Sequence, residues 1–131
     1  MKHVLYVQCA ILKRKLFEYL VALGKYVVSD DEICIGDNKY LAPDMIINRK
    51  VVVEFYGDYF HTNPSVYSAN EYIVKKSKTA RKLWGIDAER KKLLEDAGYN
   101  VIIVWQHDYR QDMTKTLLNL VKAIDSKLKG E

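Results

Sequence analysis

The stretch over residues 43–61, PDMIINRKVVVEFYGDYFH, constrains this chain most. It holds two apolar runs, Met45-Ile46-Ile47 and Val51-Val52-Val53, joined through Asn48-Arg49-Lys50. Val and Ile suit the half-buried surface of a sheet, and a short polar break between two such runs reads as a hairpin turn. An antiparallel hairpin turning near Arg49 folds position 44 back beside position 54. Asp44, entering the first strand, and Glu54, leaving the second, then converge at one end of the sheet. Two carboxylates so placed make an oxygen-rich site for a hard cation such as Mg²⁺. Standing singly, an Asp after Pro is turn chemistry and a strand-end Glu is solvated. Gly57 follows, and Asp58-Tyr59-Phe60-His61 sets a histidine just past the hairpin. An imidazole there can take a proton from water near neutral pH.

Around this hairpin the periodicity predicts helices. Leu12, Leu16, Tyr19, Leu20 and Leu23 recur at steps of three and four and predict a helix over 5–23, stopped by Gly24. Its Lys13-Arg14-Lys15 cluster faces either phosphate or solvent. A short strand is expected over 25–28, then polar turn chemistry over 29–39 with Gly36-Asp37-Asn38. The acids Asp30-Asp31-Glu32 read as a solvated loop. The segment 62–77 is rich in Tyr and polar residues, with Pro64 placed to open a helical turn at Ser65. A helix is expected over 78–97, burying Leu83, Ile86, Leu93, Leu94 and Ala97, with Gly98 as its cap. Asp87 and Arg90 on it are spaced as a surface acid–base pair. The unbroken run Val101-Ile102-Ile103-Val104-Trp105 has the signature of a strand buried on both faces. His107 at its end reads as structural or exposed. Asp112 is placed to cap a last helix, to about Lys127, with Leu117, Leu120, Val121, Ile124 and Leu128 as its buried stripe. The order predicts an α/β fold of the α+β kind with a mixed sheet. Its parts are an N-terminal helix, a β-hairpin or meander, a long helix, a buried strand and a C-terminal helix.

At 131 residues the chain reads as one domain spanning 1–131, large enough for its own core. No apolar run approaches the roughly 18 residues that span a bilayer, and the opening lacks a signal-peptide pattern. An intracellular, cytoplasmic protein is the expectation. Cys9 and Cys34 are too few for a disulfide framework or a cysteine-based zinc site, and read as two buried thiols.

Pro43-Asp44 followed by Glu54-x-Tyr56 resembles the PD-(D/E)xK nuclease motif, with Tyr where Lys usually stands. Gly57-x-x-Phe60-His61 and the later Asp87 are similar to the very-short-patch-repair branch of that superfamily. That branch includes phage homing endonucleases described by an E…D…xH…D pattern. The similarity runs from the first helix to about Tyr109 and is carried by the order and spacing of short motifs. It implies a restriction-endonuclease-like core and a metal-dependent DNA endonuclease in a phage or its bacterial host cell. Carried over residue by residue, Asp44, Glu54 and the carbonyl of Phe55 would hold Mg²⁺, or Mn²⁺ as a substitute. His61 would be the general base, and Asp87 would orient it or join the outer metal shell. Glu18 is the candidate for the first-helix Glu, although the spacing points closer to Lys13. Tyr59 and Phe60 match aromatics with which the repair relatives wedge between bases; core packing is the simpler account of both. Tyr56 in place of Lys makes His61 more necessary and leaves Tyr56 itself as a phosphate contact. The structural zinc cysteines of the repair relatives are missing, which separates this chain from their lesion specificity.

The net charge is +4, yet Lys75, Lys76, Lys78, Arg81, Lys82, Arg90, Lys91 and Lys92 face only Asp87 and Glu89 within one segment. Lys76, Lys78, Arg81 and Lys82 are the expected contacts to DNA phosphates, with solvated helix charge as the alternative. Double-stranded DNA is the expected partner, with further DNA-recognition domains outside this chain. Two other functions stay open: a catalytically silent DNA-binding module that keeps a nuclease fold, and a nuclease of branched DNA or RNA.

Overall fold

The structure, a computed structural model, describes residues 2–59 and 61–130, with side chains from Val7 onward. Phe60, one of the two expected wedge aromatics, lies outside the described residues. Helix α1 (Lys2–Ala22) leads into strand β1 (Val27–Ser29), a small hairpin of β2 (Ile33–Gly36) and β3 (Lys39–Leu41), and then β4 (Met45–Ile47) and β5 (Val51–Tyr56). A second small hairpin, β6 (Tyr72–Ile73) and β7 (Lys78–Thr79), flanks a 3₁₀ turn over Val74–Lys76. Helix α2 (Ala80–Asp96), strand β8 (Asn100–Trp105), the short α3 (Gln106–Gln111) and α4 (Met113–Leu128) complete the order. The fold is mixed α+β with a mixed sheet, as the element order predicts.

The main sheet runs β1-β4-β5-β8. β4 pairs antiparallel with β5, Met45 opposite Val53 and Ile47 opposite Val51. β8 lies parallel to β5, which α2 makes possible by crossing over the sheet. The turn of the hairpin is closed by the Lys50 N–H donating to Ile47 O at 3.0 Å. Asn48 and Arg49 between them stand at φ 50° and 54°, the left-handed geometry that suits a twisted hairpin. Alternation along the strands builds a core on each face. On one face Met45, Ile47, Val51 and Val53 pack with Leu12, Leu16 and Leu20 of α1 and with Leu120, Val121 and Ile124 of α4. On the other, Ile46 and Val52 pack with Ile33 and Leu94.

Several expectations are corrected. Tyr19 and Leu23 leave the α1 stripe, 42% and 50% exposed, because Leu12, Leu16 and Leu20 at four-residue steps suffice to cover the sheet. Ile86 of α2 is likewise 49% exposed and Ala97 is exposed, so the buried side of that helix is Ala80, Leu83 and Leu94. The polar segment 29–39 contains strand β2 and leads into β3, the two lying on either side of the expected turn. After Pro64 the chain makes the expected single turn, with the Val66 and Tyr67 N–H groups donating to Asn63 O at 2.8 Å and 2.9 Å. β8 stands at the end of the strand order and most of it is half-buried, because no further strand follows it in the sheet. Cys34 is exposed, not buried. Among the described residues no helix is long and apolar enough to cross a membrane.

Candidate functional site

The C-terminal end of β5 gathers side chains from four segments. Asp44 lies just before β4, opposite that end, and its Oδ2 accepts from the Phe55 N–H at 2.8 Å. A carboxylate bonded to a strand amide is fixed in place, and the hairpin register brings this one there. Glu54 and Tyr56 project to the face that α2 covers, since they share the parity of Val52. The Tyr56 hydroxyl donates to Glu54 Oε2 at 3.2 Å. The Tyr56 ring stacks on the His61 ring, centroids 3.7 Å apart and planes 7° from parallel. His61 Nδ1 stands 3.1 Å and 3.2 Å from the two oxygens of Asp87 on α2. The nitrogen that faces a carboxylate carries the proton in the neutral ring, which leaves Nε2 as the basic atom. Glu54, His61 and Asp87 thus form one cluster through Tyr56, and Asp44 is fastened to the same strand end through the Phe55 N–H.

Arg90, one turn along α2 from Asp87, closes the buried side. Its Nη2 and Nε donate to Glu54 Oε1 at 2.6 Å and 3.0 Å, and Nε also reaches Oε2 at 3.1 Å. Glu54 is only 4% exposed, so it meets this fork away from water. The bond to Glu54 is the first cause that raises the Arg90 pKa and holds it charged. Burial, then the charges of Glu54 and Asp87, push the Tyr56 phenol well above its ordinary value and keep it protonated. Tyr56, expected as a phosphate contact, is instead 4% exposed and engaged with Glu54. The alternative of a surface Asp87–Arg90 pair does not hold, because Asp87 turns to His61 and Arg90 to Glu54.

A cation from α1 completes the exposed side. Lys13 Nζ lies 3.3 Å from Asp44 Oδ1, with both side chains about a third exposed (37% and 32%). The same Nζ stands 5.3 Å from the centroid of the Phe55 ring. Glu18, about 140° further round the helix, is exposed and makes no hydrogen bond or ion pair to the cluster. Lys13 occupies the place on α1 that faces Asp44.

The chain matches no protein family, no curated protein and no solved structure. Its chemistry therefore rests on its own geometry.

That geometry distinguishes the expected metal donors. Among the described residues, no three or more His, Cys, Asp or Glu side chains are grouped to hold a metal ion. Glu54 does not fit as a ligand, since both of its oxygens accept from Arg90 and one also from Tyr56. Asp44 fits: its carboxylate is partly exposed and each oxygen has one hydrogen-bond donor. Magnesium commonly uses one or two carboxylates and completes its octahedron with water and phosphate oxygens. Phe55, whose carbonyl was the third expected donor, meets Asp44 through its N–H.

Of the expected DNA contacts, Lys78, Arg81 and Lys82 are exposed, and Lys76 is half-buried at the end of the 3₁₀ turn before α2. Arg81 and Lys82 line a shallow hollow with Thr79, Gly85, Ile86 and Glu89. Tyr59 is half-buried with Lys75 Nζ 5.9 Å from its ring centroid. The loop that carries His61 is fastened by Asp58. Its Oδ1 accepts from the His107 N–H at 3.1 Å and from Asn63 Nδ2 at 2.9 Å, while its own N–H donates to Gln106 Oε1 at 3.0 Å. Lys13, Arg90 and Asp58 are the residues whose roles sequence reasoning missed. A buried Glu54 demanded a counter-charge, and Arg90, one turn from Asp87, was in reach to supply it.

Proposed function

We propose that this chain is a metal-dependent endonuclease of double-stranded DNA, built on a restriction-endonuclease-like core similar to the very-short-patch-repair and phage homing branch. The observation that carries this reading is the contact of His61 Nδ1 with Asp87 at 3.1 Å, near the strand end where Asp44 accepts from the Phe55 N–H. An imidazole held by a carboxylate on one nitrogen presents a basic nitrogen on the other, the arrangement a general base needs. The basic start of α2 supports a polyanionic substrate.

In the proposed hydrolysis, a water oxygen attacks phosphorus in line with the leaving sugar oxygen. The water's proton passes to His61 Nε2, the phosphorus–oxygen bond to the leaving group breaks, and that oxygen is protonated from solvent. Asp87 holds the His61 ring and stabilises the imidazolium that forms. Tyr56 fixes the plane of that ring by stacking, and Arg90 with Glu54 fixes Tyr56. A divalent cation held at Asp44 would supply charge against the phosphate oxygens.

The test is nicking of supercoiled plasmid with Mg²⁺ and with chelator, beside Asp44→Ala and His61→Ala proteins. Metal-dependent nicking lost in both variants, with unfolding midpoints close to that of the parent, is the expected result. DNA binding with no cutting over a range of metals would replace this reading with the silent binding module. The buried pairing of Glu54 with Arg90 is the feature that favours that second reading.

A further inference from the structure

The second strand of the hairpin brings no cation to the site. Position 56 is a tyrosine that is buried, protonated and bonded to Glu54. Arg90 is near, but its guanidinium is committed to both oxygens of a buried carboxylate. Withdrawing it would leave Glu54 charged and unpaired, a strongly unfavourable state.

Lys13 is placed differently. It reaches the strand end from α1, on the face opposite α2, through one polar contact, 3.3 Å to Asp44 Oδ1, beside the Phe55 ring. Both partners are partly open to water, so the pair is weak and exchangeable. Its ammonium is a compact point charge on a flexible stem. Leu12 and Leu16, fully buried beside it, hold this turn of α1 against the sheet. The position is therefore rigid at the backbone and mobile at the charge. An anion arriving at Asp44 meets Lys13 Nζ beside it, with no buried partner to abandon.

We propose that Lys13 is a catalytic residue, supplying from α1 the positive charge that Tyr56 does not supply from β5. Its ammonium contacts a non-bridging oxygen of the scissile phosphate, where negative charge grows as water adds and the leaving oxygen departs. The assignment rests on the nuclease reading above.

The experiment compares wild-type, Lys13→Met and Lys13→Arg proteins at saturating enzyme on a duplex with a mapped cut site, with DNA affinity and unfolding midpoint measured separately. Lys13→Met should lower the saturated cleavage rate by about 10²–10³-fold, the scale for one transition-state charge contact. Its DNA affinity should change by only a few fold and its midpoint little, while Lys13→Arg keeps most of the rate. A duplex with a neutral methylphosphonate at the cut site gives a second readout. The penalty of Lys13→Met should largely vanish on it, as coupled partners require. Equal cutting by wild-type and Lys13→Met proteins overturns the role of Lys13 and leaves the nuclease standing. A loss confined to affinity, or an undiminished penalty on the methylphosphonate, also overturns it. A wild-type protein that cuts no DNA overturns both.

Discussion

Glu54 and Arg90 show how one buried charge decides the roles of its neighbours. The Glu54 side chain is 5% exposed and that of Arg90 30%, with a shortest contact of 2.6 Å. Removing one partner strands the other, so Arg90→Met should cost about 3 kcal/mol, at the low end for buried pairs because Arg90 is partly wet. Glu54→Leu combined with Arg90→Met should recover most of that loss in urea unfolding. A double variant as unstable as the single would mean that packing, not charge, sets the cost. Tyr56 is tied to the same pair. Its folded pKa is raised by burial first and then by Glu54 and Asp87, so the folded chain holds that proton more tightly than the unfolded one. The stabilisation is complete below the ordinary tyrosine value of about 10 and is lost as pH rises through the folded value. Wild-type stability should therefore fall above about pH 10, and Tyr56→Phe should make that fall shallower. It should not abolish it, because the buried Tyr109 is raised in the same sense.

Among the elements, those with strong periodicity were legible and those held by long-range contacts were not. The β4–β5 hairpin, α2 and α4 follow from apolar spacing, and Asp112 caps α4 by accepting from the Lys115 N–H at 3.0 Å. Ile33 and Ile35 were too sparse among polar neighbours to signal β2, and they become a strand by pairing with β3 and packing under α2. The apolar run of β8 announced a strand but not that it stands at the end of the sheet order and stays mostly half-buried. At the site, Asp44 and Glu54 were legible as neighbours because a hairpin register fixes them. That Glu54 would be taken by Arg90 depends on the crossing of α2, which local pattern does not encode. Helix α3 was hidden for a related reason: Gln106-His107-Asp108-Tyr109 has no apolar period, and its start is bonded to Asp58 from a distant loop. Asp58→Ala removes two accepted hydrogen bonds there and should cost about 1–2 kcal/mol, the scale of a lost helix cap. Asp58→Asn, which keeps an acceptor oxygen, should lose less. Hydrogen exchange of the His107 amide should speed up in the alanine variant; unchanged protection would show that α3 does not depend on this tie.

For the molecule as a whole, the distribution of charge matters more than its sum. A net +4 on 131 residues is modest, and several of the basic residues around α2 are already engaged. Arg90 is bound to Glu54, and Lys92 pairs with Asp96 at 2.8 Å. Of the expected phosphate contacts, Lys78, Arg81 and Lys82 are exposed near the start of α2, one turn or more before Asp87, while Lys76 is half-buried and already engaged within the fold. DNA binding by the three exposed residues should weaken with salt at a slope of about −2.7 in log K against log salt, three contacts at about −0.9 each. Lys78→Ala combined with Arg81→Ala should reduce the slope by about 1.8 and weaken binding alike on unrelated duplex sequences, since phosphate contacts carry no base information. Lys92→Ala should leave the slope nearly unchanged, because Lys92 stands ten residues, about 15 Å, along α2 from Lys82. The measurement is fluorescence anisotropy on a labelled duplex from low to physiological salt. A slope that responds equally to Lys92 and to Lys78 with Arg81 would mean a diffuse attraction to the whole surface. A slope that responds only to the latter would place the duplex along the start of α2, on the helix that carries Asp87.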